Sequence, residues 1–288
     1  MIIEPYARSL VKNLLQYDKD KIKDKDKDKS IKQHVDLVLD GGAFNGSYLL
    51  GIMYFLREME TQQLLEINHI SCCSISSVIS LLYKADCLHL FSTIFYKKMR
   101  KHFNNSYNLD KFDELFDIIR HHLPEDICEK MTNKVFISYY NVKQRKRIIK
   151  CKFNTVDEIF ETIRKSCFFP FIIDGNMLYK KKYMDGITPF IFKRKTNVRI
   201  LYIDLIRNKI CDIFSIKGEQ NNYYRVLCGL LDVHLFFTKK TTTSTCMCSY
   251  VDRWSFYHYA WYSGKKIAEY LILWLVVFMK LLGNGAEP

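Results

Sequence analysis

A chain of 288 residues with 48% hydrophobic and 15% aromatic content has apolar material for one large domain or two small ones, which excludes an unstructured or fibrous chain. Its 44 Lys and Arg against 31 Asp and Glu leave a formal charge of +13, which favours an anionic partner: nucleic acid, a phospholipid surface or an acidic protein. Nothing at the start is shaped like a signal peptide, and ten irregularly spaced cysteines read as reduced thiols, so an intracellular, cytoplasmic setting is expected.

Residues 1–16 can form one amphipathic helix. Residues 17–33 contain "KDKIKDKDKDKS", a run of alternating charge that buries no apolar surface and reads as a solvated linker. The remaining chain, 34–288, reads as the folded domain. "HVDLVLD" is a strand ending at Asp40. Ser47 to Leu65 carries Leu49, Ile52, Met53, Leu56 and Met59 at helical spacing. "EINHISC" is a second strand, and Ile75, Val78, Ile79 and Leu82 are again helically spaced. Strand, Gly-rich loop, helix, strand, tight turn, helix is the opening of a parallel α/β sheet.

From Leu88 to Lys134 the pattern is helical. Asn108 is the expected N-cap of a helix ending near Leu123, and Pro124 opens the next. "KVFISYYNV" and "RIIKCKF" are strands flanking the basic turn "KQRK". Asn154 or Thr155 caps a helix through Cys167. "FPFIIDGNMLYKKKYMDGITPF" reads as a hairpin turning at Asp174-Gly175-Asn176, with a second Asp-Gly at Asp185-Gly186. "VRILYIDL" is a further buried strand, and "TKKTTTSTC" an exposed loop. The last helix contains "YLILWLVVFM", Tyr270–Met279. A spanning helix needs about 20 apolar residues, so this run is too short. A buried core helix and an interfacial membrane anchor both fit it.

Four of the 11 glycines, Gly41, Gly42, Gly46 and Gly51, fall within eleven positions. Clustered glycines between a strand and a helix point backbone N–H groups at something negative. Gly51, one turn into the helix, is expected to allow close packing on the sheet. "GGAFNG" has no P-loop Gly-Lys-Ser/Thr, which disfavours a nucleotide-phosphate site. Ser74 lies at the apex of the turn in "SCCSISS", the position of a nucleophile elbow, although Cys72 and Ser76 stand where G-x-S-x-G has glycines. A serine at a helix start also fits a plain N-cap. An oxyanion formed at Ser74 needs donors already in place, which the amides of Gly41, Gly42 and Ala43 would supply. No histidine lies in an obvious position to act as base. Asp174 is explained by a hairpin turn, which leaves Asp185. Neither Cys246-Met247-Cys248 nor His121-His122 has a spaced partner pair, so no metal is expected.

"DGGAFNG", "SCCSISS" and "YMDGITPF" occur in the order and context of patatin-like phospholipases, which the chain resembles from about His34 to Pro189. "SCFFPFII" also resembles the family's segment leading to its Asp-Gly. The resemblance implies a three-layer α/β fold with a mainly parallel central sheet and helices on both faces. It puts Gly41, Gly42, Ala43 and Gly46 on the oxyanion loop, Ser74 on the nucleophile and Asp185 on the general base. It implies a lipid acyl hydrolase of phospholipase A type, without metal or cofactor. The substrate would be a phospholipid or other acyl ester. The positive charge fits peripheral association with an anionic membrane surface. Ala43 replaces a third glycine, Asn45 the usual Arg or Lys, and Ile187 the usual Gly or Ala after Asp-Gly. The alternative is a relative that lost turnover and serves as a basic membrane-binding or scaffold protein. Nucleic-acid binding rests on charge alone, with no helix-turn-helix, zinc or RNA-binding signature, so no nucleic-acid partner is expected.

Overall fold

A computed structural model of the protein describes residues 3–22, 32–207, 209–216, 219, 221–239 and 246–284. Among the described residues there are seven strands, β1 (Gln33–Leu39), β2 (Leu65–Cys72), β3 (Val135–Asn141), β4 (Lys146–Lys150), β5 (Tyr183–Asp185), β6 (Arg199–Ile203) and β7 (Cys248–Tyr250). They form one sheet in the order β4-β3-β2-β1-β6-β7, with β5 also paired to β3. The central strands β3, β2, β1 and β6 are parallel, and the outer pairings are antiparallel. β1 is buried from Val35 to Leu39, as a strand covered on both faces must be.

The register decides what meets at the carboxyl end of the sheet. β2 leaves β3 at Cys72, opposite Ile137. β4 occupies one side of β3 over Ile137–Asn141, so β5 takes the side that β2 has vacated, with Asp185 opposite Tyr139. The end of β5 therefore arrives beside the turn that follows β2.

Val35, Leu37 and Leu39 face the main core, which holds α1 (Ile3–Ile22), α2 (Gly46–Thr61) and α3 (Ile75–Lys84). A π-helical stretch, Phe91–Tyr96, runs into α4 (Lys97–Ser106), followed by α5 (Phe112–Arg120), α6 (Ile127–Met131) and α7 (Val156–Cys167). α8 (Tyr223–Lys239) crosses α2 so closely that a Cβ on Gly51 would sit 1.9 Å from the Val226 carbonyl oxygen. Gly51 thus serves a helix–helix contact rather than the expected contact with the sheet. Val38, Ile200 and Tyr202 face the other way, under Phe192, Trp254 and Tyr262. That face is covered by α9 (Phe256–Asn284), which gives a three-layer α/β fold.

Several boundaries differ from expectation. α1 runs six residues past 16, to Ile22, and buries Ala7, Val11 and Leu14 in the main core. The rest of the charged run, 23–31, lies outside the described residues. The cap at Asn108 is absent because its carbonyl oxygen is engaged by His102 and Ser106 and the next amide, Leu109, bonds the Ile173 carbonyl at 3.0 Å. α5 accordingly starts at Phe112. Thr155 does cap α7, accepting the Glu158 amide at 3.2 Å while Glu158 accepts the Asn154 amide at 2.8 Å.

The hairpin over 169–190 does not form. Left-handed backbone at Phe171 breaks the first strand and at Lys180 and Lys181 the second, which leaves only β5 as a strand there. Of the expected loop over 238–246, Thr238 and Lys239 end α8, Cys246 is buried, and 240–245 lie outside the described residues. No helix among the described residues is long and apolar enough to cross a membrane.

Candidate active site

Two residues separate β2 from α3, so the chain reverses within Cys73 and Ser74. Ser74 adopts φ 54° and ψ −136°, a conformation that L-residues avoid and that persists only when the surroundings hold it. Its amide donates to the Ser166 carbonyl at 3.1 Å and to Ser166 Oγ at 2.9 Å, and Ser166 Oγ donates onward to the Ser138 carbonyl at 2.7 Å. Ser76, where a glycine would stand, uses its hydroxyl instead. Its Oγ accepts the Cys73 amide at 3.1 Å and lies 2.7 Å from the Cys73 carbonyl and 3.1 Å from that of Leu39. The Ser74 side chain makes no capping bond to α3. It lines one cavity with the Asp185 carboxylate and is close enough to favour that group's ionised form, so the plain N-cap reading does not hold.

The glycine loop passes directly over this serine: a Cβ on Gly41 would lie 3.1 Å from Ser74 Cβ. Among the described residues, the amides of Gly41, Gly42 and Ala43 have no acceptor. Ala43 takes the left-handed φ of 43°. Gly46 belongs elsewhere. Its amide is spent on the Ala43 carbonyl, and a Cβ there would lie 2.7 Å from Ile75 Cγ1, so it is a packing glycine of α2 and not an oxyanion donor.

Asn45, the departure from Arg or Lys, braces the loop. Its amide nitrogen donates to the carbonyls of Leu205 and Lys209, both at 2.8 Å. Its carbonyl oxygen accepts Arg225 Nη1 at 2.9 Å. The buried Arg225 guanidinium of α8 also donates to the Asp212 carbonyl at 2.6 Å, the Ser215 carbonyl at 2.8 Å and Glu219 Oε1 at 2.8 Å. A guanidinium thus reaches the loop from α8 rather than from position 45.

Asp185 ends β5 and is buried. Gly186 lets the chain press on β3, since a Cβ there would lie 2.3 Å from the Ser138 carbonyl oxygen. Asp185 Oδ1 accepts the Ile187 amide at 2.7 Å. Burial pushes the carboxyl up to about 7; the Ile187 amide and the Ser74 hydroxyl oppose this, while Glu269 and Asp40 add to it. Asp174 lies on an exposed turn, where it accepts the Asn176 amide at 2.9 Å.

Two buried ionic groups support the site, and the sequence reading missed both. Asp40, at the root of the glycine loop, binds Lys265 Nζ of α9 at 2.5 Å; Lys265 also meets Tyr202 Oη at 2.6 Å and Asp204 Oδ2 at 3.3 Å. Burial raises Asp40 to about 6 against the pull of Lys265. Burial acts to lower the Lys265 ammonium, but Asp40 and Asp204 outweigh it and hold it above its ordinary value. One turn on, buried Glu269 accepts from Tyr140 and Thr188, and Lys266 stands 3.0 Å away. The available signal was the trio Lys265, Lys266 and Glu269 leading into an otherwise uncharged run.

A cavity of about 210 Å³ is lined by Gly41, Gly42, Ala43, Ser74 and Asp185 together with Phe91, Phe95, Met99, Leu109, Phe112 and Ile173. One wall carries Ser74 and Asp185, and the rest is almost wholly apolar. Among the described residues, no group of three or more His, Cys, Asp or Glu is placed to hold a metal ion; Cys246 Sγ contacts Asp232 Oδ2 at 3.5 Å. Compared with known proteins, the chain matches no family model and no curated protein.

Proposed function

We propose that this protein is a serine acyl-ester hydrolase acting on fatty acyl esters of lipids, of the phospholipase A type. The observation that carries this reading is the pairing of a strained Ser74 with a buried Asp185 under three unengaged amides, in a cavity whose other walls are apolar.

The chemistry runs as follows. Ser74 Oγ attacks the ester carbonyl carbon as Asp185 takes its proton. The amides of Gly41, Gly42 and Ala43 receive the negative charge that forms on the carbonyl oxygen. Asp185 returns the proton to the departing alcohol, leaving an acyl-Ser74. Water then gives a proton to Asp185 and attacks the acyl carbon. The tetrahedral adduct collapses, Ser74 Oγ recovers the proton, and the fatty acid leaves. A base with a pKa of about 7 is half ionised at neutral pH, close to the optimum for both taking and returning a proton. Phe91, Phe95, Met99 and Leu109 offer an alkyl chain a surface without competing polar groups.

The test is hydrolysis of fluorogenic acyl esters of increasing chain length by the purified protein, with a fluorophosphonate probe as a second readout. Release of fatty acid, preference for longer chains and labelling confined to Ser74 support the reading. Labelling elsewhere, or full turnover by Ser74→Ala, overturns it.

A further inference from the structure

α9 has two apolar faces, and the protein covers one of them. On the inner side Val276 is buried, and Ile272, Leu273 and Val277 pack with it against Tyr140, Val142, Leu178 and Met184. This part of the helix is core, as one of the two sequence readings had it. On the outer side Ile267, Leu271, Trp274, Leu275, Phe278 and Leu281 are all exposed, Trp274 by 69% and Leu271 by 65%. Their spacing keeps them on one stripe, about 20 Å long at 1.5 Å per residue. Trp274 stacks on Phe278 with ring centroids 5.7 Å apart, so the surface is a preformed aromatic one.

The rim of this stripe is cationic. Lys143 and Arg145 on the turn between β3 and β4 and Lys146 at the start of β4 are exposed, and Arg145 lines a groove with Trp274 and Phe278. The Val142 amide bonds the Lys182 carbonyl at 2.9 Å, which brings the 180–182 lysine turn alongside. Among the described residues of α9 the one acid is Glu269, buried and bound to Tyr140 and Thr188. No carboxylate on this helix therefore offsets the rim.

We propose that this face docks the protein on an anionic phospholipid bilayer, with the α9 stripe lying among the headgroups and the 143–146 segment over lipid phosphates. A tryptophan and large aliphatics beside Lys and Arg are the composition of an interfacial helix. A second copy of the chain fits less well, because it would set a cationic rim against a cationic rim in a protein of net charge +13. The inference rests on surface chemistry alone and stands whether or not Ser74 turns over an ester.

The test is vesicle flotation of the full-length protein on phosphatidylcholine alone and on about 3:1 phosphatidylcholine–phosphatidylserine. The wild type and Ser74→Ala should bind the mixed vesicles equally and the neutral ones far less. Replacing Lys143, Arg145 and Lys146 together by Gln should weaken binding to mixed vesicles about 100-fold, a factor of roughly five or more per cation. Leu271→Glu with Trp274→Glu should abolish binding to both vesicles without altering circular dichroism, since both side chains are exposed. Unchanged binding by these two variants overturns the proposal, as does equal binding to neutral and mixed vesicles. Sedimentation showing a dimer that Trp274→Glu dissolves also overturns it, in favour of a second copy as the occupant.

Discussion

Lys265 of the C-terminal helix lies 2.5 Å from Asp40, the residue immediately before the glycine loop and 225 positions away in the chain. The same ammonium reaches Asp204 at the end of β6, so one cation ties together two strand ends and the helix above them. Removing one partner of a buried pair leaves an uncompensated charge. Lys265→Met should therefore cost about 3 kcal/mol of stability at pH 8. The cost should shrink at pH 5, where Asp40 is mostly protonated because its pKa is about 6. Adding Asp40→Asn should recover part of the loss. Urea unfolding of the wild type, Lys265→Met, Asp40→Asn and the double variant at both pH values measures this. A cost under about 1 kcal/mol, independent of pH, would mean that the pair does not hold the loop root.

Ser74 holds a conformation that suits glycine better than any L-residue. Ser74→Gly should raise the melting temperature while abolishing ester hydrolysis, because strain of this type is worth about 1–3 kcal/mol. Ser74→Ala should be equally inactive without that gain. If both variants melt alike, the turn stores no strain at this residue.

Asp185 gives a pH dependence whose sign is fixed by the direction of its shift. Its pKa rises from 3.8 to about 7 on folding, so the folded chain holds this proton more tightly. The stabilisation is fully present below pH about 4 and is lost as pH rises through 7. Asp185→Asn should therefore match the wild type near pH 4 and be the more stable protein at pH 8. In activity the wild type should fall off below pH about 7, as the base becomes protonated. Asp185→Asn should lose at least about 10³-fold in turnover, and Asp174→Asn almost nothing. A pH profile flat between 5 and 8, or a large loss at Asp174, would point to another base.

Arg225 braces Asn45 and, through it, the three free amides. Arg225→Lys keeps the charge but not the fork that meets the Asp212 and Ser215 carbonyls and Glu219 together. It should lower kcat about tenfold or more with little change in KM, because the loosened donors act in the transition state. A rise in KM at unchanged kcat would instead place Arg225 in substrate binding.

How much of this was legible in the sequence follows a physical division. A strand, a glycine loop, a helix and a tight turn at Ser74 are local events, written in residue spacing and in glycine's tolerance of close approach. Asp185 was separable from Asp174 because Asp174-Gly175-Asn176 has the chemistry of a turn, and the structure places it on one. The hairpin around them was misread, since left-handed residues at Phe171 and Lys180 leave no mark in a hydrophobic pattern.

Gly46 shows the limit within one short stretch. Its neighbours Gly41 and Gly42 line the cavity, whereas its own hydrogen faces Ile75 and Phe91 across the α2–α3 contact. The sequence determined which residues bend the chain and where Ser74 and the Asp185 carboxylate stand along it. Only the tertiary structure decided that β5 fills the place β2 vacates, which brings Asp185 to Ser74. It also chose Arg225, Ser166 and Lys265 as the partners that hold the loop and the turn. A helix as apolar all round as α9 carries no periodic signal to say which side is core. The sheet it lies on made that choice, burying Val276 and leaving Trp274 in water, because burial and the pairing of buried charge are settled by contacts between residues far apart in the chain.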